Sequence, residues 1–238
     1  MPVYSDTTRA GDLDEYTTPR RLVDAVLNCI PFFRFDTFSV LDPGCNRGQW
    51  GSRLKLAYPK AQVTGLEYMR IPSQYRLKGY DEFIDGTNYL TWDTDQRYTL
   101  VIGNPPYSKP ETAMADKFVE KSMELLKPEG WLFFLLRLNF GCSSQRMRDY
   151  PAEKQAGRKG LFQRFPLTSV SFAERPSFYK HDRREVKHYG KSSSPAHDYA
   201  LYVWQKGVSP PVMKSYFLQW KHFPGDDEYD TLHGKDTA

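Results

Sequence analysis

Short apolar runs alternate with amphipathic segments along most of this chain. Ser39 Val40 Leu41, Gln62 to Leu66, Asp81 to Ile84, Leu100 Val101 Ile102, Trp131 to Leu136, Ser169 to Phe172 and Tyr199 to Trp204 have the length and the β-branched or aromatic content of buried strands. Helical spacing falls between them. Thr18 before Pro19 predicts a helix to about Asn28, with threonine as N-cap and proline at the first helical position. A second helix is predicted from about Gln49 to Tyr58. Phe118, Val119, Met123, Leu125 and Leu126 mark a third, ended by Pro128 Glu129 Gly130. Strands alternating with helices predict an α/β fold with a mainly parallel, seven-stranded sheet and helices on both faces. Met213 to Phe223 reads as a packed amphipathic segment before an acidic tail.

The run Leu100 to Ile102 ends abruptly in Gly103 Asn104 Pro105 Pro106 Tyr107. Two prolines forbid the strand from continuing and hold the Asn104 amide, the Pro105 carbonyl and the Tyr107 ring in a nearly fixed array. Two acceptors can converge there on one exocyclic amine while the tyrosine face stacks on the ring bearing it. The same residues are also ordinary turn formers, and a structural strand-to-loop turn is the alternative.

A glycine loop, Asp42 Pro43 Gly44 Cys45 Asn46 Arg47 Gly48, lies between a predicted strand and a predicted helix. Small residues there let a ligand approach the backbone closely. The loop lacks the GK[ST] of a P-loop and the GxGxxG dinucleotide fingerprint. Its acidic entry residue, with no phosphate-binding lysine, suits a ligand carrying an amine and a carboxylate. Glu67 ends the next strand about 20 residues on, where a carboxylate can accept both hydroxyls of a ribose. The N–H groups that open the first helix form a further anion site.

Composition narrows the class. At 238 residues, 39% hydrophobic and 15% aromatic, the chain suits one well-buried domain. Cys29, Cys45 and Cys142 are odd in number and widely spaced, which fits a reducing cytoplasm and suggests neither a disulfide framework nor a zinc site. The N-terminus has no apolar leader, and the longest apolar run is too short to span a bilayer, so a soluble protein with no membrane partner is expected. His181, His188 and His197 lack metal-ligand spacing, and no metal is expected.

Charge is regional. The net charge is +4, yet Arg137 to Lys191 carries 13 Lys/Arg against 5 Asp/Glu. Arg146, Arg148, Arg158 and Lys159 interleave with Tyr150, Phe162, Phe165 and Phe178, a mixture suited to phosphates and unstacked bases. A solvated basic surface is the plainer alternative.

In order and spacing, Tyr16 Thr17 Thr18 Pro19, the Asp42 to Gly48 loop, Glu67 and Asn104 Pro105 Pro106 Tyr107 resemble motifs X, I, II and IV of the S-adenosylmethionine-dependent N6-adenine methyltransferases. The likeness covers roughly residues 16 to 136. A weaker one, from Arg175 to Phe178 and from Tyr199 to Lys206, is to small phage-type members. The resemblance implies a Rossmann-like class I methyltransferase fold. It places the cofactor's methionine end against Tyr16, Thr18, Asp42 and Gly44, its ribose on Glu67, and its adenine on Asn88, with Asp85 the nearby acid; Cys45 and Asn104 are further cofactor contacts. Asn46 stands where the family usually has glycine.

The same resemblance gives Asn104 and Pro105 the N6 hydrogens of a flipped adenine and Tyr107 its stacking face. Phe178 is either the opposite wall or a plain rim aromatic. The substrate implied is adenine N6 in DNA, with RNA and protein glutamine as alternatives, since each has methylases with this tetrapeptide. A silent nucleic-acid-binding module or partner subunit is a further alternative, and a homodimer is compatible with the sequence. The domain reading is a flexible arm over 1–15, a methyltransferase domain over 16–207 with basic loops at about 139–168 and 177–198, and a partly mobile extension over 208–238. So little loop surface predicts a short or relaxed target context, or recognition supplied by a partner.

Overall fold

The computed structural model describes residues 16–28, 37–73, 76, 78–106, 114–147, 159–174, 176, 179–180 and 197–221. Its strands are β1 (Tyr16–Thr17), β2 (Ser39–Pro43), β3 (Gln62–Leu66), β4 (Glu82–Ile84), β5 (Tyr98–Gly103), β6 (Leu126–Arg137), β7 (Ser169–Ala173), β8 (Tyr179–Lys180), β9 (Tyr199–Gln205) and β10 (Lys214–Leu218). The longer helices are α1 (Arg20–Asn28), α2 (Gln49–Ala57) and α3 (Met114–Leu125).

Eight strands form one sheet in the order β10-β7-β9-β6-β5-β2-β3-β4, and β1 pairs with β8 apart from it. The expectation of seven strands is corrected by β10, which pairs parallel to β7 at the edge. Four of the five β10 residues are exposed, so the strand is held through its backbone and leaves no buried alternation for a sequence reading to find. The sheet therefore continues beyond residue 207. It is mainly parallel as expected; β9 alone runs antiparallel to both of its neighbours, β6 and β7.

The central strands are nearly continuous apolar runs because both faces are covered. Val40, Leu41, Leu100, Val101, Ile102 and Leu132 are all fully buried. From β2 the chain passes through α2 to β3 on one side, and from β5 through α3 to β6 on the other. Right-handed crossovers in opposite directions put α2 and α3 on opposite faces and leave a crevice between the carboxyl ends of β2 and β5. That crevice is the topological switch point, and it receives both the glycine loop and the proline turn.

Two local boundaries shift. The Pro19 carbonyl accepts from the Leu22 and Val23 N–H groups, so α1 begins at Arg20 rather than at Pro19. The Thr18 hydroxyl instead accepts from Trp50 Nε1 at 3.3 Å, tying the entry of α1 to α2. β6 pairs with β5 from Leu126 onward, with a shift in register before Trp131 in a stretch where Glu129 takes a φ of 60°.

Candidate functional site

The carboxyl ends of β2, β3, β4 and β5 share one edge because these strands are parallel. The glycine loop leaves β2 and is fastened at once to β3. The Gly44 and Cys45 N–H groups donate to the Leu66 carbonyl at 2.7 and 3.0 Å. Gly44, Asn46 and Gly48 have φ of 75°, 51° and 103°, left-handed values that glycine adopts without strain and asparagine tolerates better than most residues. Asn46 thus keeps the backbone path that a glycine would take.

Glu67 braces the same loop. Its Oε2 accepts from the Asn46 N–H at 2.7 Å and its Oε1 from the Met69 N–H at 2.9 Å. A carboxylate oxygen can accept more than one hydrogen bond, the chemistry that a vicinal diol asks for.

Asp42 is fully buried at the floor of the loop. Its Oδ2 accepts from the Tyr80 hydroxyl at 2.5 Å, whereas its Oδ1 has no hydrogen-bond partner among the described residues. Burial pushes the carboxyl up to about 7; the Tyr80 hydroxyl pulls it down, the Glu67 charge raises it, and the Gly51 backbone lowers it. The neighbouring Cys45 thiol is also pushed up, first by burial and then by the charges of Asp42 and Glu67, which leaves it a poor nucleophile.

Tyr80 and Gln49 belong to this site and are not singled out by the sequence reading. The Tyr80 ring occupies a slot between α2 and β3 that only glycine permits. A Cβ on Gly51 or Gly65 would lie 2.1 or 2.4 Å from its ring atoms. Glycines inside a helix and a strand were the available signal, since each is costly there unless something packs against the bare backbone. Gln49 opens α2 with a buried carboxamide whose oxygen and nitrogen both lack partners among the described residues. Its residue type carried no signal.

Across the crevice, Asn104 follows β5 half-buried, Pro105 is buried and Pro106 half-buried. The two loops touch, for a Cβ on Gly44 would stand 3.7 Å from Pro106 Cδ. Tyr107 lies outside the described residues, as do Phe178, Arg148, Arg158 and residues 1–15. Tyr16 lies on β1, in register with Lys180.

The two residues read for a cofactor adenine are engaged locally. Asn88 is exposed and its Oδ1 accepts from the Leu90 N–H at 3.0 Å. Asp85 accepts from the Ile71 N–H at 2.9 Å and pairs with Arg76 at 2.7 Å. Arg146 is also engaged, pairing with Asp116 at 2.7 Å and stacking 4.1 Å from the Phe140 ring centroid, whereas Lys159 is exposed. Among the described residues no group of His, Cys, Asp and Glu could hold a metal ion, and no helix is long and apolar enough to cross a membrane.

Residues 25–155, more than half of the chain, match the model of the methyltransferase small domain. Type II methyltransferase M.CvrRI of Paramecium bursaria Chlorella virus XZ-6E is 29% identical over 92 residues, covering 39% of this chain and 24% of the relative. Modification methylase CviBIII of Paramecium bursaria Chlorella virus NC1A is 28% identical over 124 residues, covering 45% and 33%. The alignments thus span a third or less of these relatives' lengths.

Among solved structures, one described as a class I S-adenosylmethionine-dependent methyltransferase from Listeria monocytogenes superposes with a TM-score of 0.54 at 15% identity, covering 84% of this chain and 63% of that one. A type I restriction-modification methyltransferase subunit from Streptococcus thermophilus gives 0.54 at 15% identity, with 85% and 47% covered. The fold is therefore the Rossmann-like class I methyltransferase fold, and the chain belongs to the methyltransferase small-domain family.

Proposed function

We propose that this protein transfers a methyl group from S-adenosylmethionine to the N6 amine of an adenine flipped out of DNA. The observation that carries this reading is the meeting of two loops at the sheet's switch point. The Asn104 Pro105 Pro106 turn leaves β5 directly beside the Gly44 loop, close enough for Pro106 to approach Gly44. An amine-reading array next to a loop suited to an amino-acid ligand is the arrangement that methyl transfer to nitrogen requires.

The residues present fit the cofactor. Among the described residues Asp42 Oδ1 is a buried oxygen without a partner, suited to an ammonium group, and the Gln49 carboxamide is a second unpartnered polar group at the far end of the same loop. Buried polar atoms in native proteins are nearly always paired, so two such groups bracketing one loop call for a polar ligand. Tyr16, Thr18, Asp42, Gly44 and Cys45 would hold the methionine end, Glu67 the ribose, and Asn88 or Asp85 the adenine. When bound, the cofactor supplies an electrophilic methyl group.

What the chain itself does is position and polarise. The Asn104 side-chain oxygen and the Pro105 carbonyl accept the two hydrogens of the target amine, drawing it toward tetrahedral geometry and directing its lone pair. Tyr107 offers the base a stacking face worth about 1 to 3 kcal/mol. The high Cys45 pKa agrees with a route that needs no thiolate. DNA is preferred over RNA and protein because both viral relatives are named as type II or modification methylases.

Asn104→Ala tests the assignment. It is expected to abolish methyl transfer while S-adenosylhomocysteine still binds; transfer left intact, or lost only together with that binding, would contradict these roles.

A further inference from the structure

The hydroxyl of Tyr80 lies between the Gly51 N–H and the Asp42 carboxyl. It accepts from the Gly51 N–H at 2.9 Å and donates to Asp42 Oδ2 at 2.5 Å. Gly51 is the third residue of α2, whose N-cap, Gly48, has no side chain with which to cap it. A capping side chain normally satisfies the N–H at that position, and here a tyrosine from another segment does so.

The direction of these bonds is forced. The Gly51 N–H can only donate, so the single Tyr80 proton has Asp42 as its acceptor. Burial and the Asp42 charge hold the Tyr80 pKa well above its ordinary value, which keeps that proton in place. With Oδ2 occupied, Oδ1 is the remaining oxygen of Asp42. It lies against Gly103, the residue before Asn104.

We propose that Tyr80 is a positioning residue for cofactor recognition: by fixing Asp42 through Oδ2 it presents Oδ1 to the cofactor's ammonium group, so that binding requires ionised Asp42 and expels a proton. This rests on the reading above that Asp42 receives the cofactor's amine. The groups facing Asp42 are Tyr80 ahead of β4, Glu67 at the end of β3, Cys45 on its own loop, the Gly51 N–H of α2 and the uncharged backbone of Gly103. Glu67 and burial oppose ionisation, whereas Tyr80 and Gly51 favour it. A pKa of about 7 means that the carboxyl holds its proton in a large share of free molecules at neutral pH. An ammonium group seated on Oδ1 then displaces that proton.

A phenylalanine would fill the same slot between Gly51 and Gly65, which separates the hydroxyl's role from simple packing. The full-length protein and its Tyr80→Phe variant are titrated calorimetrically with S-adenosylhomocysteine across pH, in buffers of different ionisation enthalpy. The wild type is expected to release a proton on binding near neutral pH, and its affinity to fall as pH drops below about 7, approaching tenfold per pH unit. Tyr80→Phe is expected to move that decline to higher pH, weakening binding about tenfold at neutral pH and recovering most of it by about pH 8.5.

A variant with the wild-type profile, or with a loss that is constant across pH, would show a purely structural tyrosine and overturn the proposal. Pairwise proton release by the wild type decides the matter should the variant fail to fold: none released, with affinity flat in pH, overturns it too. A folded wild type that binds no S-adenosylhomocysteine at any pH would remove the cofactor reading itself, and this proposal with it.

Discussion

Asp42 and Gly103 approach so closely that a Cβ on Gly103 would lie 2.9 Å from Asp42 Oδ1. One residue leads from its strand into the glycine loop and the other into the proline turn, so the two loops are held together by a contact that only glycine allows. Gly103→Ala is expected to lower stability by about 1 to 3 kcal/mol, since neither the backbone nor a buried carboxyl can yield cheaply. It should also weaken S-adenosylhomocysteine binding. Unchanged melting and affinity would show that the site tolerates separation.

Asp42→Asn separates stability from function. In the folded chain the Asp42 carboxyl keeps its proton up to about 7, against 3.8 ordinarily. Its contribution to stability is therefore fully present below the unfolded value and is lost as pH rises through the folded value. The asparagine variant should match the wild type in acid and exceed it by roughly 2 to 4 kcal/mol above neutral pH, while binding the cofactor product more weakly. Denaturant melts at several pH values check this; a variant less stable than the wild type at alkaline pH would refute it.

Glu67→Ala removes the acceptor of two backbone N–H groups, those of Asn46 and Met69. A loss of about 1 to 3 kcal/mol in stability is expected, with more than a tenfold loss in affinity for S-adenosylhomocysteine. Glu67→Gln, which keeps an acceptor oxygen, should fall between. Equal affinity in all three proteins would show that no ribose reaches this carboxylate.

Much of this was legible in the sequence because it rests on local chemistry. Seven strands of the sheet follow from apolar runs, and α2 begins at the expected Gln49 because the glycine loop before it cannot continue a strand. What was not legible depends on partners distant in the chain. β10 is an exposed edge held by backbone pairing, and Tyr80 matters only because Gly51 and Gly65, 29 and 15 residues before it, leave room for its ring. Nor does composition reveal that Arg146, read as a nucleic-acid contact, pairs with Asp116 and lies over the Phe140 ring.

That last difference yields a prediction. Arg146→Ala should destabilise the fold by breaking a half-buried ion pair and a cation–π contact, by about 1 to 2 kcal/mol. Lys159→Ala, at an exposed position, should leave melting unchanged and reduce the salt dependence of DNA binding by about one unit of slope. Loss of DNA affinity without loss of stability in Arg146→Ala would return that residue to the interface.

The central claim is the identity of the methylated atom. Incubating the protein with methyl-labelled S-adenosylmethionine and unmodified DNA, RNA or protein, followed by mass analysis of nucleosides and peptides, tests it most directly. The predicted result is N6-methyladenine in the DNA, absent with Asn104→Ala. Label confined to RNA or to glutamine, or absent from every acceptor with the cofactor bound, would contradict it.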